Sequence, residues 1–486
     1  MRAQLQNLAS ETAVYGVFTI VGRFLTFLLT PIYSNYLTME EVGDINNIYS
    51  IIAFIMVIYC FGMESSFFRF YEKDNFEINK KVYSHTYLTI ALISFAISSV
   101  FIIFSSSIAP AISDLPNAIN LILIASLIPF FDALMIIPYT FLRMTRQAKK
   151  FSMIRFVLII VAVALNFLFV VYLRWGAEGV LYAQMIANVI GVMIFIPNVI
   201  QYFKFSLDLA LLKQMLKFGL PTIPASLSSI VLQVADRPIL KALTNNTEVG
   251  MYSVNYRLGI PMMLFVAVFD YAWKPFYLSH YQEENAKRLF SRVLTYFTLA
   301  CSAVFLLTSL FIPYFVQVPF IGGKFINPDY WVGMGIIPII LAGYFLNGIF
   351  VVFSAGFYIT KKTQYLPIAV GIAAFVNIAM NFVLIPIIGY WGAAWATFAA
   401  YLVSAGVLYY FQQKIYPLTY EFKRVILIIS LSLLLYLGII LIADEFFKDN
   451  GLIFRVLAIL LFVFLLWLFN FFTKGELDFI KKLFKR

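Results

Sequence analysis

Long apolar runs alternate along the whole chain with short polar segments rich in Lys, Arg, Asn, Gly and Pro. Each run has about 20 residues, the length that an α-helix needs to cross the hydrocarbon core of a bilayer. The pattern predicts an all-α polytopic membrane protein with fourteen membrane-spanning helices. Their predicted limits are 12–34, 45–63, 83–105, 118–142, 152–173, 177–197, 218–240, 251–273, 291–313, 332–358, 365–386, 389–411, 424–443 and 452–472.

The amino-acid composition agrees with this pattern. Hydrophobic residues make up 62% of the 486 positions, charged residues make up 12%, and the mean hydropathy is +0.89. These values are typical of polytopic membrane proteins and exclude soluble catalytic folds. The chain has only two cysteines, Cys60 and Cys301, and two histidines, His85 and His280, without metal-ligand spacing. The sequence therefore predicts no disulfide framework, no metal, no cofactor and no catalytic residue.

Lysine and arginine are distributed unequally between the two sides of the predicted bundle. Of the 35 such residues, 27 fall in the two terminal segments and in the loops on their side, whereas four fall in the opposite loops. Cytoplasmic loops carry an excess of Lys and Arg, so we expect both termini to be cytoplasmic. The net charge of +11 then reflects contact with anionic lipid headgroups, and no nucleic-acid partner is predicted.

An internal repeat relates the two halves of the chain. The segment that starts at Pro31 aligns with the segment that starts at Pro238 at an offset of 207, and this pairs the Glu-Val-Gly sequence at 41–43 with the one at 248–250. Farther on, Gly176 pairs with Gly389. Matched Pro and Glu-Val-Gly positions are not a coincidence of apolar composition. The alignment therefore predicts a duplicated chain with six helices in each copy.

The repeat predicts three regions. Residues 1–204 form a first lobe and residues 205–416 form a second. Because an even number of helices returns the chain to its starting side, the lobes are parallel repeats about an axis along the membrane normal. Residues 417–486 contain helices 13 and 14, which have no counterpart in the repeat, and a basic amphipathic tail.

Arg23 lies in the middle of the first apolar run, about 11 residues from either end. At about 1.5 Å per residue it is roughly 16 Å from water on both sides. Insertion of such an arginine costs about 2.5–3.5 kcal/mol, so it should face a water-filled cavity or a partner. Two interpretations stay open: Arg23 is a phosphate ligand, or it forms a structural ion pair with Asp132 of helix 4.

Other polar residues inside the predicted helices are candidates as well. Arginine binds phosphate oxygens bidentately and stays protonated, so Arg257 and Arg237 are candidate phosphate ligands. Asp132 and Asp236 are candidates for ion coupling or for structural pairing. Since neighbouring helical residues point about 100° apart, we expect Asp236 and Arg237 not to face one common neighbour. Two amides could hydrate a cleft, contact sugar hydroxyls or bond between helices: Asn166 and Gln233.

Two segments carry a resemblance to a known family. A first helix with a central arginine is followed by NYLTMEEVGDINNIYSI, and the seventh helix is followed by NTEVGMYSVNYRLG. Together they resemble the polysaccharide-export branch of the multidrug/oligosaccharidyl-lipid/polysaccharide (MOP) exporter superfamily, which includes O-antigen flippases. One departure is Asp44, which stands where the second copy has Met251. The resemblance implies a V-shaped, two-lobed fold in the bacterial inner (cytoplasmic) membrane.

The resemblance also implies a function. Such proteins move undecaprenyl-pyrophosphate-linked oligosaccharide from the inner to the outer leaflet by alternating access, for surface polysaccharides such as lipopolysaccharide. Proton or sodium coupling is expected, and the implied partners are the lipid-linked oligosaccharide, membrane lipids and polysaccharide assembly machinery. Related lipid II flippases use cavity arginines in helices 1, 2 and 8. Arg23 and Arg257 fall on two of these helices, and helix 2 has no arginine.

Two functions other than the flippase are alternatives. The first is a drug or metabolite antiporter of the same superfamily, but such antiporters usually have twelve helices, and an added pair suits a long lipid tail. The second is a membrane enzyme that polymerises or ligates polysaccharide. The predicted outer loops are short and lack a carboxylate or histidine constellation, so we expect the protein not to be an enzyme.

Overall fold

A computed structural model describes residues 20–72, 75–205, 208–443, 451–469 and 471–472. The start of the first predicted helix and the predicted basic tail lie outside these described residues. In chain order the first helices are α1 (20–27), α2 (Leu29–Tyr36), α3 (Met39–Cys60), α4 (Met63–Phe70), α5 (Phe76–Ile103), α6 (Ser105–Ile112), α7 (Ala118–Met144), α8 (Ala148–Asn166, continued by a π-helix over Phe167–Tyr172) and α9 (Gly176–Tyr202).

The remaining elements are also almost all helical. They are α10 (Leu209–Gly219), a 3₁₀ turn (Leu220–Thr222), α11 (Ile223–Val234), α12 (Asp236–Leu243), α13 (Asn246–Arg257), α14 (Ile260–His280), α15 (Ala286–Phe315), strands β1 (Pro319–Phe320) and β2 (Gly323–Lys324), a 3₁₀ helix (Pro328–Ile336), α16 (Ile337–Ile359), α17 (Tyr365–Ile388), α18 (Tyr390–Ile415), α19 (Phe422–Gly438, continued by a π-helix over Ile439–Ala443) and α20 (Gly451–Leu468). The antiparallel pair β1–β2 was not predicted from the sequence.

The prediction of a polytopic helical membrane protein is confirmed. Within the described residues, twelve helices are long and apolar enough to cross a membrane, and α13 with α14 would form a thirteenth span. The first predicted helix begins outside the described residues, so the number fourteen stays a prediction. The division into repeats at 1–204, 205–416 and 417–486 also stays a prediction.

Several predicted helix boundaries were wrong, and two of the differences have a local cause in the sequence. The seventh predicted helix (218–240) begins earlier, at Leu209, where the carboxylate of Asp208 accepts a hydrogen bond from the Leu211 amide and caps the helix. The eighth predicted helix (251–273) is interrupted after Arg257, and α14 starts with Pro261 in its first turn. Proline lacks an amide hydrogen and is favoured at the start of a helix, so a new helix begins there.

The described chain forms two compact units. The first comprises Met1–Arg257, Pro319–Ile336 and Pro367–Val403, and its core packs Tyr59, Phe67 and other buried side chains of α3, α4, α5 and α7. The second unit comprises Leu258–Val318, Ile337–Leu366 and Ser404–Arg486. Its core packs α15 against α19 and α20. The polar residues that the sequence singled out all belong to the first unit.

The contacts of Glu41 explain why a glutamate begins the first Glu-Val-Gly sequence. Its carboxylate accepts a hydrogen bond from the Thr38 amide (2.9 Å), while the Thr38 hydroxyl accepts from the Glu41 amide (3.2 Å), which is a capping box at the start of α3. The same carboxylate accepts from the Ala177 amide (3.2 Å) at the start of α9. Gly176 has φ +58°, and a Cβ there would lie 2.3 Å from Glu41 Oε1.

Glu248 makes the corresponding contact in the second copy. Its carboxylate accepts a hydrogen bond from the Tyr390 amide (3.2 Å) at the start of α18. Gly389, the repeat partner of Gly176, has φ +57°, and a Cβ there would lie 3.0 Å from Glu248 Oε2. The matched glutamates and glycines of the repeat therefore serve one structural purpose in both halves.

Candidate functional site

Helices α3 and α13 cross at the two matched glycines, without room for a side chain. A Cβ on Gly43 would lie 1.8 Å from the carbonyl oxygen of Asn246, and a Cβ on Gly250 would lie 2.1 Å from the carbonyl oxygen of Met39. Met39 and Asn246 are themselves 207 positions apart, as are Gly43 and Gly250. Each helix thus presents the same glycine to the same backbone position of the other helix.

A buried polar cluster lies beside this crossing and is centred on Asp44, which is fully buried. Its carboxylate accepts hydrogen bonds from the Ser113 hydroxyl and from the side-chain amide of Asn246. An ion pair joins Lys241 of α12 to Asp114 next to it. The position at which the first copy departs from the second therefore carries a carboxylate that ties α3 to α13 and to the segment before α7.

Arg257 ends α13 next to α3 and is half-buried. Its Nη2 donates a hydrogen bond to the side-chain oxygen of Asn46 (2.9 Å), and its charge interacts with the hydroxyl groups of Tyr33 and Tyr49. Tyr33 in turn donates to the side-chain oxygen of Asn166 (2.8 Å). Asn46 is neutral, and no carboxylate forms an ion pair with Arg257 within the described chain. The positive charge of Arg257 is therefore uncompensated there.

Arg237 is 8% exposed and lies near enough to Arg257 for the two charges to interact. Its Nη1 donates to Asp236 Oδ1 and to the carbonyl oxygen of Gln233, both at 2.9 Å. The Tyr252 hydroxyl also donates to Asp236, and the guanidinium of Arg237 lies 5.5 Å from the centre of the Tyr252 ring. The expectation that Asp236 and Arg237 cannot face one neighbour was wrong, because the long arginine side chain folds back along its helix.

We expect Asp236→Ala to destabilise the protein by about 3–5 kcal/mol, because the variant leaves Arg237 in a buried position without its carboxylate. The melting temperature in detergent measures this effect. The double variant Asp236→Ala/Arg237→Met removes both charges and should recover much of the lost stability. A double variant that melts no higher than Asp236→Ala would contradict the role of this pair.

The side chain of Gln233 is exposed, and its amide nitrogen donates to the carbonyl oxygen of Ser229 (3.1 Å). The sequence singled out Gln233 as a cleft residue, whereas the structure connects it to Arg237 through its backbone. Asn166, the other predicted polar residue, is buried in the hydrogen-bonded chain to Tyr33. Of the two amides, only Asn166 uses its side chain in the group of residues around Arg257.

Arg23 lies in α1 and is exposed. The alternative prediction of an ion pair with Asp132 was wrong: both residues are described, and no ion pair joins them. The preceding residue, Gly22, packs against α8, where a Cβ would lie 2.8 Å from Ile159 Cδ1. Asp132 instead interacts electrostatically with Arg155 of α8.

A cavity of about 490 Å³ lies next to Asp132. Four charged side chains line it, from α4, α7 and α8: Glu64, Asp132, Arg143 and Arg155. Sequence analysis missed Arg155, because the fifth helix was predicted to start at residue 152 and its arginine was counted with the preceding loop. In the structure α8 starts at Ala148, so Arg155 lies seven residues inside a candidate membrane span.

An apolar groove of about 630 Å³ lies in the second unit, along α19 and α20. Its walls are formed by leucine, isoleucine, phenylalanine and alanine side chains, among them Leu434, Leu457 and Phe464, and by Gly438. These helices correspond to the pair that the sequence predicted to lie outside the repeat. Their groove is suited to an alkyl chain because it offers apolar surface without a charged group.

The comparison with solved structures gives likenesses to membrane transporters. The structure titled "Lipid II flippase MurJ, inward closed conformation" superposes with a TM-score of 0.74 at 19% identity, over 94% of this chain and 99% of that one. An inward-facing multidrug resistance MATE family transporter of the MOP superfamily gives 0.64 at 14% identity, over 81% and 94% of the two chains. These likenesses establish the fold, because identity is low.

The comparison with protein families covers more than half of the chain. Residues 8–282 match the family described as "Polysaccharide biosynthesis protein". No curated protein sequence matches the chain significantly. The resemblance seen in the two repeated segments is confirmed by the family match and by the MurJ-like and MATE-like fold. The chain belongs to the polysaccharide biosynthesis protein family.

Proposed function

We propose that this protein moves a lipid-linked oligosaccharide with a pyrophosphate group from the inner to the outer leaflet of the bacterial inner membrane. The observation that carries the proposal is the pair Arg257 and Arg237, two cations that interact with each other while Asp236 compensates only Arg237. Arg257 ends α13, which together with α14 would form a membrane span. An intramembrane charge without a counter-ion is costly unless a ligand supplies one. A pyrophosphate supplies such a counter-ion, and arginine binds it bidentately.

In this proposal the pyrophosphate ligands are Arg23 and Arg257, and Arg237 contributes positive charge while it stays bound to Asp236. Asn166 orients Tyr33 next to Arg257 through their hydrogen bond. Asp132 is the proposed coupling carboxylate, for a proton or for sodium. Arg155 interacts with it electrostatically, but Asp132 forms no direct ion pair among the described residues, so its carboxylate can bind the coupling ion.

The proposed function also includes a membrane topology and a place in polysaccharide synthesis. Both termini are cytoplasmic, the lobes 1–204 and 205–416 expose the substrate site alternately, and helices 13 and 14 form the appended region. The product serves a surface polysaccharide such as O-antigen, in contact with membrane lipids and polysaccharide assembly machinery. No catalytic step is required, since the sugar–phosphate bonds are unchanged by transport.

Arg23→Ala tests this function directly. In proteoliposomes that contain a fluorescent undecaprenyl-pyrophosphate-linked sugar, wild-type protein should expose the sugar on the opposite leaflet, as measured by quenching from outside. We expect Arg23→Ala to lower the rate at least about tenfold, because one charge-assisted phosphate contact is lost. Arg23→Lys should keep part of the activity. A normal rate in well-folded Arg23→Ala would remove Arg23 from the site.

The MATE-like fold favours a second candidate, transport of a drug or metabolite cation. The MATE transporter above aligns with 81% of this chain, whereas the MurJ structure aligns with 94%. The apolar groove and the uncompensated arginine favour an anionic lipid. Transport of a lipophilic cation by the same proteoliposomes, without movement of the lipid-linked sugar, would favour the antiporter.

A further inference from the structure

Arg155 is an intramembrane arginine that the proposed pyrophosphate ligands do not include. It lies seven residues after Ala148, the start of α8, which is about 10 Å of helix. Its side chain is exposed and lines the cavity of about 490 Å³. This volume falls within the range of about 300–1,000 Å³ that is typical of small-molecule sites. The cavity is therefore large enough for a phosphate-bearing headgroup.

Two aromatic rings hold the guanidinium of Arg155. Its Cζ lies 5.0 Å from the ring centre of Tyr139 and 5.0 Å from the ring centre of Phe151, and these two rings are 5.2 Å apart, edge to face. The guanidinium also forms a hydrogen bond with the Tyr139 hydroxyl, and neither ring carries a negative charge. The aromatic contacts thus orient the arginine without neutralising its charge.

The second arginine of the cavity, Arg143, differs in this respect. Its Nη1 forms an ion pair of 2.9 Å with Glu64, and it lies over the ring of Phe68. Arg155 forms no such ion pair within the described chain, although Asp132 interacts with it electrostatically across the same cavity. Of the two cations in the cavity, Arg155 is the one whose hydrogen-bonding edge is not used by a carboxylate.

Arg155 also lies close to Arg23 along the helix axes. The contact between Gly22 and Ile159 joins α1 to α8, and Ile159 is four residues, or about 6 Å, farther along α8 than Arg155. Arg23 directly follows Gly22. A phosphate group bound at Arg155 is therefore about one helical turn from the level of Arg23.

We propose that Arg155 binds the phosphate of the lipid-linked substrate in this cavity, and that Asp132 competes with that phosphate for Arg155. The inference rests on the proposed function and adds to it a first binding station, from which the phosphate passes to Arg23. The competing carboxylate prevents binding so tight that the substrate cannot leave. Tyr139 and Phe151 position the guanidinium for both partners.

Direct binding tests this proposal. Full-length protein in phosphatidylcholine nanodiscs is titrated with undecaprenyl pyrophosphate, and with undecaprenol as the phosphate-free probe, by native mass spectrometry. We expect Arg155→Gln to weaken undecaprenyl pyrophosphate binding about 10- to 100-fold, the range for a charge-assisted bidentate contact. Undecaprenol binding should be unchanged. Arg155→Lys keeps the charge and should lose less, which also serves as the control for folding.

The matched control is Lys150→Gln, which removes an exposed charge from the same helix but not from the cavity. It should bind like wild type. If wild-type protein binds undecaprenol as tightly as undecaprenyl pyrophosphate, the proposed function and this inference both fail. If wild-type binding depends on phosphate but Arg155→Gln binds as tightly as Lys150→Gln, this inference alone is overturned.

Competition by Asp132 gives an independent readout that a purely structural arginine would not produce. Asp132→Asn should tighten undecaprenyl pyrophosphate binding several-fold in the wild-type background, because the phosphate no longer displaces a carboxylate. In the Arg155→Gln background the same change should have no effect. Equal effects of Asp132→Asn in both backgrounds would show that the two residues act separately and would overturn the competition.

Discussion

Replacing Gly43 by alanine is expected to unfold or strongly destabilise the protein. The new Cβ would lie 1.8 Å from the carbonyl oxygen of Asn246, and the obstacle is backbone rather than a flexible side chain. Relief requires α3 and α13 to separate, which also breaks the hydrogen bond between Asp44 and Asn246. Overpacking costs about 1–3 kcal/mol in well-packed cores, and the lost buried hydrogen bond adds about 1–3 kcal/mol.

The melting temperature in detergent and the yield of monodisperse protein measure this loss. Gly250→Ala should behave alike, because its Cβ meets the carbonyl oxygen of Met39 at 2.1 Å. The matched control is Gly406→Ala in α18, where no atom lies within 4 Å of the added carbon. If Gly43→Ala and Gly406→Ala melt at the same temperature, the close crossing of α3 and α13 is not a feature of the folded protein.

Replacing Arg257 by alanine is expected to abolish flipping of lipid-linked sugar, with a reduction of at least about 100-fold. The variant loses a bidentate phosphate ligand and the cation that Asn46 orients, and each charge-assisted contact contributes about 1.5–3 kcal/mol. Folding should be retained, since the lost partner is a neutral amide and no buried carboxylate is left without a counter-ion. The proteoliposome quenching assay measures the rate, and the melting temperature measures folding.

Two companion variants sharpen this result. Arg257→Lys keeps the charge but not the planar fork, so it should retain intermediate activity. Arg69→Ala removes an exposed arginine at the end of α4 and should flip at the wild-type rate. Unchanged activity in Arg257→Ala, with Arg69→Ala as reference, would exclude the uncompensated arginine as the basis of the proposed function.

Much of the fold could be predicted from the sequence, because a bilayer imposes its thickness on every apolar run. The errors have local causes. The break after Arg257 depends on a proline close to a helix start within an apolar run, and prolines inside membrane helices are often tolerated without a break. The start of the seventh helix depends on the Asp208 cap, and the apolar first turn that follows it is separated from the main apolar run by Lys213, Gln214 and Lys217.

The candidate site was only partly predictable, because side-chain length and helix boundaries decide which charges meet. The side chain of Arg237 folds back to contact Asp236 and Tyr252. The angle between neighbouring helical residues does not predict this contact, because it does not depend on side-chain length. Arg155 was missed because the fifth helix was predicted to start at 152 and starts at Ala148. This shift of four residues moves Arg155 from the edge of a loop into the membrane span. The sequence shows Asp44 only as a departure from the repeat. Its buried hydrogen bonds could not be predicted, because they depend on where the fold places Asn246.

The reciprocal contact of Gly43 and Gly250 has a consequence for the origin of the protein. Gly43 lies against the carbonyl of Asn246, and Gly250 lies against the carbonyl of Met39. Both the two glycines and the two carbonyls are related by the repeat offset of 207 positions. A surface that pairs with its own equivalent is the mark of a two-fold symmetric dimer. A half-length ancestor with this helix could therefore have assembled as a homodimer through the same glycine, before gene fusion. Asp44 opposite Met251 would then record how the fused halves became unequal.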